Sequence, residues 1–213
     1  MRAAITSAIV IVALASSSPS AHRLDEYLQA ARVNLARNAV ELEIDLTPGA
    51  SVAEAVIALV DADGDNAITP VEAESYGSSV LNDILVELDG SRVALTLARV
   101  EVPSLDAMRH GMGTIQLRAT AVVDGGIAGR AQLHFRNDHQ PRSSVYLVNA
   151  LMPSEDGVSV VAQTRDADQR DVRIEYAVRT QWPKFLYWPI FGLVVGGWWL
   201  VKSHANSPIT ANH

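Results

Sequence analysis

Hydrophobic and polar residues alternate along most of the chain between residues 26 and 179. In residues 40–46 four aliphatic side chains alternate with three acidic ones, which is typical of a strand with one buried and one solvated face. Seven or eight short strands with turn signals between them predict a mainly β domain, an antiparallel β-sandwich of Ig-like architecture. The other alternating runs are 26–35, 92–102, 114–123, 130–136, 143–151, 157–164 and 171–179.

One stretch between these strands has helical periodicity instead. Residues 51–60 place four aliphatic side chains at helical spacing, and Ser51 with Glu54 forms a capping-box pattern at the start. Residues 70–85 predict a second helix, with Thr69 as its N-cap. The two segments predict an EF-hand-like helix-loop-helix inserted in the β domain.

The beginning of the chain has the pattern of a secretory signal peptide. Residues 3–15 are apolar and uncharged, they follow the basic Arg2, and small residues come after them. Residues 1–21 are therefore predicted to be a signal peptide that is removed on export. An uncleaved membrane anchor is the alternative, although the apolar run is shorter than the about 20 residues that a membrane span needs.

A second apolar run lies near the end of the chain, and residues 181–202 are predicted to form a transmembrane helix. The central part, residues 185–201, would be about 25 Å long as a helix. Tryptophans at both of its ends suit the two membrane interfaces. The alternative, a buried core helix, fits poorly because the segment is apolar on every face.

Composition narrows the chemistry of the 213-residue chain. It has no cysteine, so any metal must be held by oxygen or histidine ligands, and its formal net charge of −7 argues against nucleic acid as a partner. We predict a single-pass protein of the cell membrane, with its main domain in the periplasm or outside the cell and the lipid bilayer as a partner. The predicted segments are the signal peptide (1–21), the extracytoplasmic domain (22–180) with its insertion (51–85), the membrane helix (181–202) and the cytoplasmic tail (203–213).

The loop between the two predicted helices matches a calcium-binding template. Counted from Asp61, an EF-hand loop needs oxygen ligands at positions 1, 3, 5, 7, 9 and 12, because a chain that curls around the ion turns alternate residues inward. The position 7 ligand is a backbone carbonyl, and position 9 acts directly or through water. The aliphatic Ile68 at position 8 is expected to hold the loop against the domain core. The predicted ligands are Asp61, Asp63, Asp65, the Ala67 carbonyl, Thr69 and Glu72.

The loop departs from the template at position 6, where Asn66 replaces the usual glycine. Asparagine tolerates the left-handed backbone that this position requires, so we expect a loss of affinity, not of the site. Calcium suits the flexible loop and its bidentate glutamate better than magnesium does. The alternative is a metal-free acidic turn, and a second candidate loop at 166–177 fails because Arg170 occupies position 5.

Several segments resemble a known family. The stretches "AHRLDEYLQAARVNLARNAVELEIDLTPG", "NDHQPRSSVYLVNALMP" and "VVAQTRDADQRDVRIEY", together with the loop, resemble the extracytoplasmic domain of uncharacterised bacterial EF-hand-containing membrane proteins. The arrangement is less closely similar to the exported domains that precede membrane domains of the HupE/UreJ type. The resemblance implies calcium ligands at the loop positions named above and is silent on activity.

These patterns lead us to expect a non-enzymatic, calcium-binding interaction or accessory module that docks on another membrane protein. The alternative is a solute- or metal-binding accessory subunit of a transporter. An enzyme is disfavoured because no nucleophile-elbow or phosphate-loop motif is present. The histidines lack metal-site spacing; His22 could chelate copper only as a mature N-terminus, and His134 and His139 are predicted to form turn hydrogen bonds.

Overall fold

The computed structural model describes residues 25–179, which form ten strands and three helices. In chain order the elements are β1 (Tyr27–Leu35), β2 (Ala39–Pro48), α1 (Ala53–Val60), α2 (Pro70–Asn82), β3 (Ile84–Leu88), β4 (Ser91–Arg92), β5 (Thr96–Glu101), α3 (Leu105–Arg109), β6 (Ile115–Val122), β7 (Gly129–Asn137), β8 (Ser144–Ala150), β9 (Val158–Arg165) and β10 (Asp171–Val178).

The strands form two five-stranded sheets, so the prediction of a mainly β domain is confirmed. The first sheet has the strand order β5-β6-β2-β1-β8 and the second has the order β4-β3-β7-β10-β9. All pairs in the second sheet are antiparallel. In the first sheet β8 lies parallel to β1, which the prediction of a purely antiparallel fold did not include.

One hydrophobic core takes side chains from both sheets and from the helices. The strand alternation read from the sequence decides which residues enter it. On β2, Val40 and Leu46 are fully buried, and on β10, Ile174 and Tyr176 are fully buried. The polar residues between them face away from the core, where Glu43, for example, pairs with Arg32 of β1. Such an arrangement is compatible with a β-sandwich.

The helix-loop-helix lies between β2 and β3, as predicted, but its boundaries differ. The second helix was predicted to reach residue 85, whereas α2 ends at Asn82 and Ile84 begins a strand. That strand, β3, pairs with β7, and the Asp89-Gly90 turn, with φ of 50° and 79°, connects it to β4. Such a two-residue Asp-Gly turn is a strong hairpin signal, so this strand could have been found from the sequence.

Two further predictions about local structure were wrong. The run at 92–102 is not one strand, because the chain leaves the second sheet after β4 and joins the edge of the first sheet as β5. The N-cap of α1 is Val52, without a side-chain capping bond, and the Ser51 hydroxyl donates to Asp25 instead. The short helix α3 was not predicted at all, although Ser104 caps it.

Gly77, in the middle of α2, lowers helix propensity but permits close packing. A β-carbon at this position would lie 3.0 Å from Leu97 and 3.2 Å from Leu117. The glycine therefore lets α2 approach β5 and β6 closely, which fixes the helix that follows the acidic loop against the first sheet.

The predicted signal peptide, His22, the predicted membrane helix and the cytoplasmic tail lie outside the described residues. Among residues 25–179, no helix is both long and apolar enough to cross a membrane.

Candidate metal centre

The acidic loop connects the end of α1 to the start of α2, and a complete capping box fixes its second end. The Thr69 hydroxyl accepts a hydrogen bond from the backbone N–H of Glu72 at 3.2 Å, and the Glu72 carboxylate accepts one from the backbone N–H of Thr69 at 2.9 Å. With Pro70 in the first turn, this end of the helix forms as the sequence predicts.

Three of the predicted ligands converge in the loop. Carboxylate oxygens of Asp61, Asp63 and Asp65 all lie within 4.8 Å of one another. In the part of the chain that the structure describes, no other three histidine, aspartate or glutamate side chains bring their ligand atoms this close together. Asp61 is 6% exposed, whereas Asp63 and Asp65 face solvent. The cluster is thus open on one side.

Backbone amides of the loop orient these carboxylates. Asp61 accepts from the N–H groups of Gly64 and Asn66, both at 2.9 Å, and from that of Asp65 at 3.2 Å. Asp65 in turn accepts from the N–H of Ala67 at 2.8 Å. A carboxylate has about four lone-pair sites, so these bonds leave acceptor capacity on the oxygens. The loop backbone therefore orients the carboxylates and leaves lone pairs on their oxygens available to a ligand.

The departure at position 6 behaves as predicted. Asn66 has a φ of 65°, in the left-handed region that the template assigns to this position. Two residues later, Ile68 is partly buried against the hydrophobic core, which confirms its expected role in holding the loop to the domain. The backbone at position 6 and the packing at position 8 thus agree with the template, and the expected loss of affinity stays a prediction.

Glu72 is the predicted ligand that does not join the cluster of aspartates. Its Oε2 accepts from the Thr69 hydroxyl at 2.8 Å, and its Oε1 accepts from the backbone N–H of Ala62 at 2.9 Å. Hydrogen bonds from the Thr69 backbone and side chain, with a smaller one from Ala62, lower the pKa of Glu72, so it remains ionised beside the cluster. The Ala67 carbonyl stays a prediction.

The donors present fit a hard divalent cation. All of them are oxygens, which suit calcium and magnesium and are poor ligands for soft metals. Asp61, Asp63, Asp65 and Glu72 would hold the ion, which would neutralise carboxylates that otherwise repel one another.

The structure also agrees with the rejection of the second candidate loop at 166–177. Asp166 accepts from the N–H groups of Arg170 and Asp171, and the strand β10 follows where an EF-hand has a helix.

Of the two histidines predicted to form turn hydrogen bonds, His139 lies in a turn and His134 does not. His134 lies on β7, with one ring nitrogen 3.0 Å from Glu87 and the other 3.0 Å from Asp171, so it bridges strands and not a turn. His139 does lie in the turn after β7, but it is buried and contacts Tyr76 and Asp83. Neither ring belongs to the acidic cluster.

A contact that sequence reasoning missed involves Arg109 of α3. Its guanidinium lies 2.9 Å from the Glu54 carboxylate and 3.2 Å from the side-chain oxygen of Asn66. Asn66 is 43 residues away in the chain. No local pattern could have indicated this pair.

No model of a known protein family matches the chain, and no curated protein matches it. The resemblance to EF-hand-containing membrane proteins therefore stays a prediction.

Proposed function

We propose that the protein is a calcium-binding module and that residues 61–72 form its metal site. The observation that carries the proposal is the convergence of three carboxylates within 4.8 Å in a loop whose sixth residue is left-handed. Asp61, Asp63 and Asp65 provide side-chain oxygens, Ala67 its carbonyl, and Glu72 a bidentate carboxylate. Thr69 acts directly or through water.

Glu72 has to change partners when the ion binds. Glu72 is partly buried, and its carboxylate accepts solvent-exposed hydrogen bonds from Ala62 and Thr69, which lie near the two ends of the loop. These bonds keep the side chain beside the loop, and in this proposal both oxygens turn toward the ion when it binds. The energetic cost is small because the bonds that it loses are solvent-exposed.

Calcium is the ion we assign. A bidentate glutamate and six to eight oxygens suit calcium, whereas magnesium requires near-ideal octahedral geometry and keeps several waters. Outside the cytoplasm, a site with a dissociation constant of about 10⁻⁴ to 10⁻³ M is sufficient for occupancy. A single loop of this kind, without a partner loop among the described residues, fits a structural role better than a sensory one.

We place this site in an exported protein that is anchored in the membrane. In this proposal the two sheets form an Ig-like β-sandwich outside the cytoplasm, residues 1–21 direct export, and residues 181–202 anchor the chain. The domain acts without catalysis, as an accessory module for another membrane protein. Support comes from the sequence of the two apolar runs and from the acidic, cysteine-free composition.

Calorimetric titration of the full chain in mild detergent tests the metal site. We expect one calcium per chain, a weaker response to magnesium, and a gain in unfolding free energy of about 2.7 kcal/mol at a calcium concentration 100 times the dissociation constant. Glu72→Gln keeps the capping box but removes a charged bidentate ligand, and Asp61→Asn removes the first ligand. Both should abolish or greatly weaken binding.

Asp168→Asn is the matched control, because it removes one exposed carboxylate far along the chain from the loop. Its binding isotherm should equal that of the unchanged chain. An absence of binding heat at millimolar calcium, or equal binding by Asp61→Asn and the unchanged chain, would show that the loop is a metal-free turn.

The membrane setting needs its own experiment. Membranes from expressing cells are washed with alkaline carbonate, and the full chain is compared with a variant in which Val194 and Val195 are both changed to Arg. The full chain should stay in the pellet and the variant should be released, because two charges in the middle of a span are costly. Release of the full chain by the same wash would contradict the anchor.

A further inference from the structure

Helix α3 places a cation against the acidic loop. Arg109, in the last turn of α3, has its Nε 2.9 Å from Glu54 of α1 and one Nη 3.2 Å from the Asn66 side-chain oxygen. One guanidinium therefore joins three segments, namely α1, the loop and α3. Its planar fork can make both contacts at once, which a lysine ammonium cannot match in geometry.

Helix α3, which carries Arg109, is packed into the hydrophobic core. Met108 is fully buried and Leu105 is 9% exposed, and both belong to the hydrophobic core. The Ser104 hydroxyl caps the first turn by accepting from the N–H of Ala107 at 3.3 Å. The backbone next to Arg109 is thus fixed by the core, although the Arg109 side chain itself is 37% exposed.

Asn66, at the other end of this contact, is in an unfavourable backbone conformation. With a φ of 65°, it adopts the left-handed region at a cost that glycine would not have. Its backbone N–H donates to Asp61 at 2.9 Å, so the orientation of the first predicted ligand depends on this conformation. A glycine at position 66 would remove the conformational cost but also the acceptor for Arg109.

We propose that Arg109 is a positioning residue that holds Asn66 in its left-handed conformation before the metal binds. Through the N–H of Asn66, it keeps the Asp61 carboxylate turned into the loop. Glu54 tethers the guanidinium and offsets its charge, which limits repulsion of an incoming cation. The consequence for calcium rests on the proposed function; the role in ordering the loop does not.

Amide hydrogen exchange of the full chain in excess chelator tests the ordering role without metal. Arg109→Met should speed exchange at the amides of Gly64 and Asn66 by about threefold to tenfold. In an Asn66→Gly background, where the acceptor is gone, the same change should have no effect. Arg99→Met, which removes an exposed arginine elsewhere, should leave both amides unchanged.

Arg109→Lys separates charge from geometry. If the planar geometry of the guanidinium is required, amide exchange in this variant should resemble that of Arg109→Met. Equal acceleration by Arg109→Met in both backgrounds, or no acceleration in either, would overturn the proposal. All five variants change exposed side chains or the loop, and a circular dichroism melt of each shows whether the domain is folded.

Calcium titration measures the effect of Arg109 on calcium affinity. It compares the unchanged chain with Arg109→Met, Asn66→Gly and the double variant. Arg109→Met should weaken calcium binding about threefold to tenfold with Asn66 present and not with Gly at this position. Loss of the Arg109 charge has the same long-range effect in both backgrounds, so this effect cancels when the two are compared.

If the exchange pattern holds but neither the unchanged chain nor any variant binds calcium, the proposed function fails and the ordering role stands. If calcium binds but the two changes are additive in both measurements, the ordering role fails alone.

Discussion

The two ends of helix α2 are both polar, but they are built in opposite ways. At the first end, the bonds of Thr69 and Glu72 connect residues at most ten positions apart, and these bonds are solvent-exposed. From the middle of the helix to its other end, the Tyr76 hydroxyl and the Asp83 carboxylate contact residues 49 to 63 positions away. The first end is a local loop, whereas the second is a junction between distant segments.

The junction is a chain of hydrogen bonds through the interior. The Asp83 carboxylate lies 2.8 Å from His139 Nδ1, His139 Nε2 lies 3.3 Å from the Tyr76 hydroxyl, and this hydroxyl lies 2.6 Å from that of Tyr27. Burial raises the pKa of Tyr76 to about 12, and burial together with Tyr76 raises the pKa of Tyr27 well above its usual value. Both phenols therefore stay protonated and can donate.

The difference shows which polar groups are free to bind a ligand. In the loop, water and an ion can replace the protein partners of a carboxylate, so the hydrogen bonds are exchangeable. In the junction, a lost partner leaves a buried polar atom without a hydrogen bond, which costs about 1 to 3 kcal/mol. One end of α2 is suited to binding, and the other end holds the helix in place.

Replacing His139 by alanine should have the largest effect. The ring packs edge-on against Tyr27 and Tyr76, with centroid distances of 6.2 and 5.9 Å, and it is fully buried. His139→Ala leaves a cavity and removes one of the two hydrogen-bond partners of the Tyr76 hydroxyl, so we expect the free energy of unfolding in urea to fall by about 3 kcal/mol.

His110→Ala is the control for this change, because His110 is 61% exposed. It should alter the free energy of unfolding by less than about 0.5 kcal/mol. Similar values for the two histidines would mean that the junction does not hold α2.

Two tyrosine-to-phenylalanine changes test how much a hydrogen-bonded hydroxyl contributes to the free energy of unfolding. Tyr76→Phe removes the partner of the Tyr27 hydroxyl and should lower stability by about 1 to 2 kcal/mol. Tyr176 is also fully buried, but its hydroxyl has no hydrogen-bond partner among residues 25–179. Tyr176→Phe should therefore be neutral or stabilising in the same urea titration, and an equal loss in both variants would contradict the comparison.

His134 is a partly buried histidine whose ring lies between two carboxylates, so its contribution to stability should depend on pH. Burial alone would lower the pKa of His134, but hydrogen bonds from its ring to Asp171 and Glu87 outweigh this and raise it. Because the folded pKa is raised, the stabilisation is complete below the ordinary histidine pKa of about 6.5 and is lost as the pH rises through the folded pKa.

The measurement compares the unchanged chain with His134→Gln at several pH values. The difference in unfolding free energy should be larger at pH 6 than at pH 9. A difference that is independent of pH across this range would show that the imidazolium does not bridge the two carboxylates.

The smallest expected effect concerns the metal-free loop. Asp63→Asn keeps a side-chain oxygen for the N–H of Asp65, at 3.1 Å in the structure, but removes one of the three close charges. In chelator, its melting temperature should rise slightly, by the equivalent of at most about 0.5 kcal/mol, while its affinity for calcium falls. A destabilised metal-free variant would mean that the aspartates do not repel one another.

Local sequence pattern alone determined most strands, the acidic loop and the cap of α2. Alternation identifies the buried face of β2 and β10, because strand neighbours face opposite sides whatever they pair with. The loop spacing predicted the left-handed Asn66 and the packing of Ile68, because both are set within a dozen residues.

Only the tertiary structure decided the rest. Pairing with β7 placed residues 84 and 85 in a strand where the local pattern predicted the end of a helix, and the passage to the other sheet divided the run at 92–102. The contacts of Arg109 and His139 join segments that are 43 or more residues apart. Periodicity and capping describe only neighbours in the chain, whereas these contacts depend on which distant surfaces the packed core brings together.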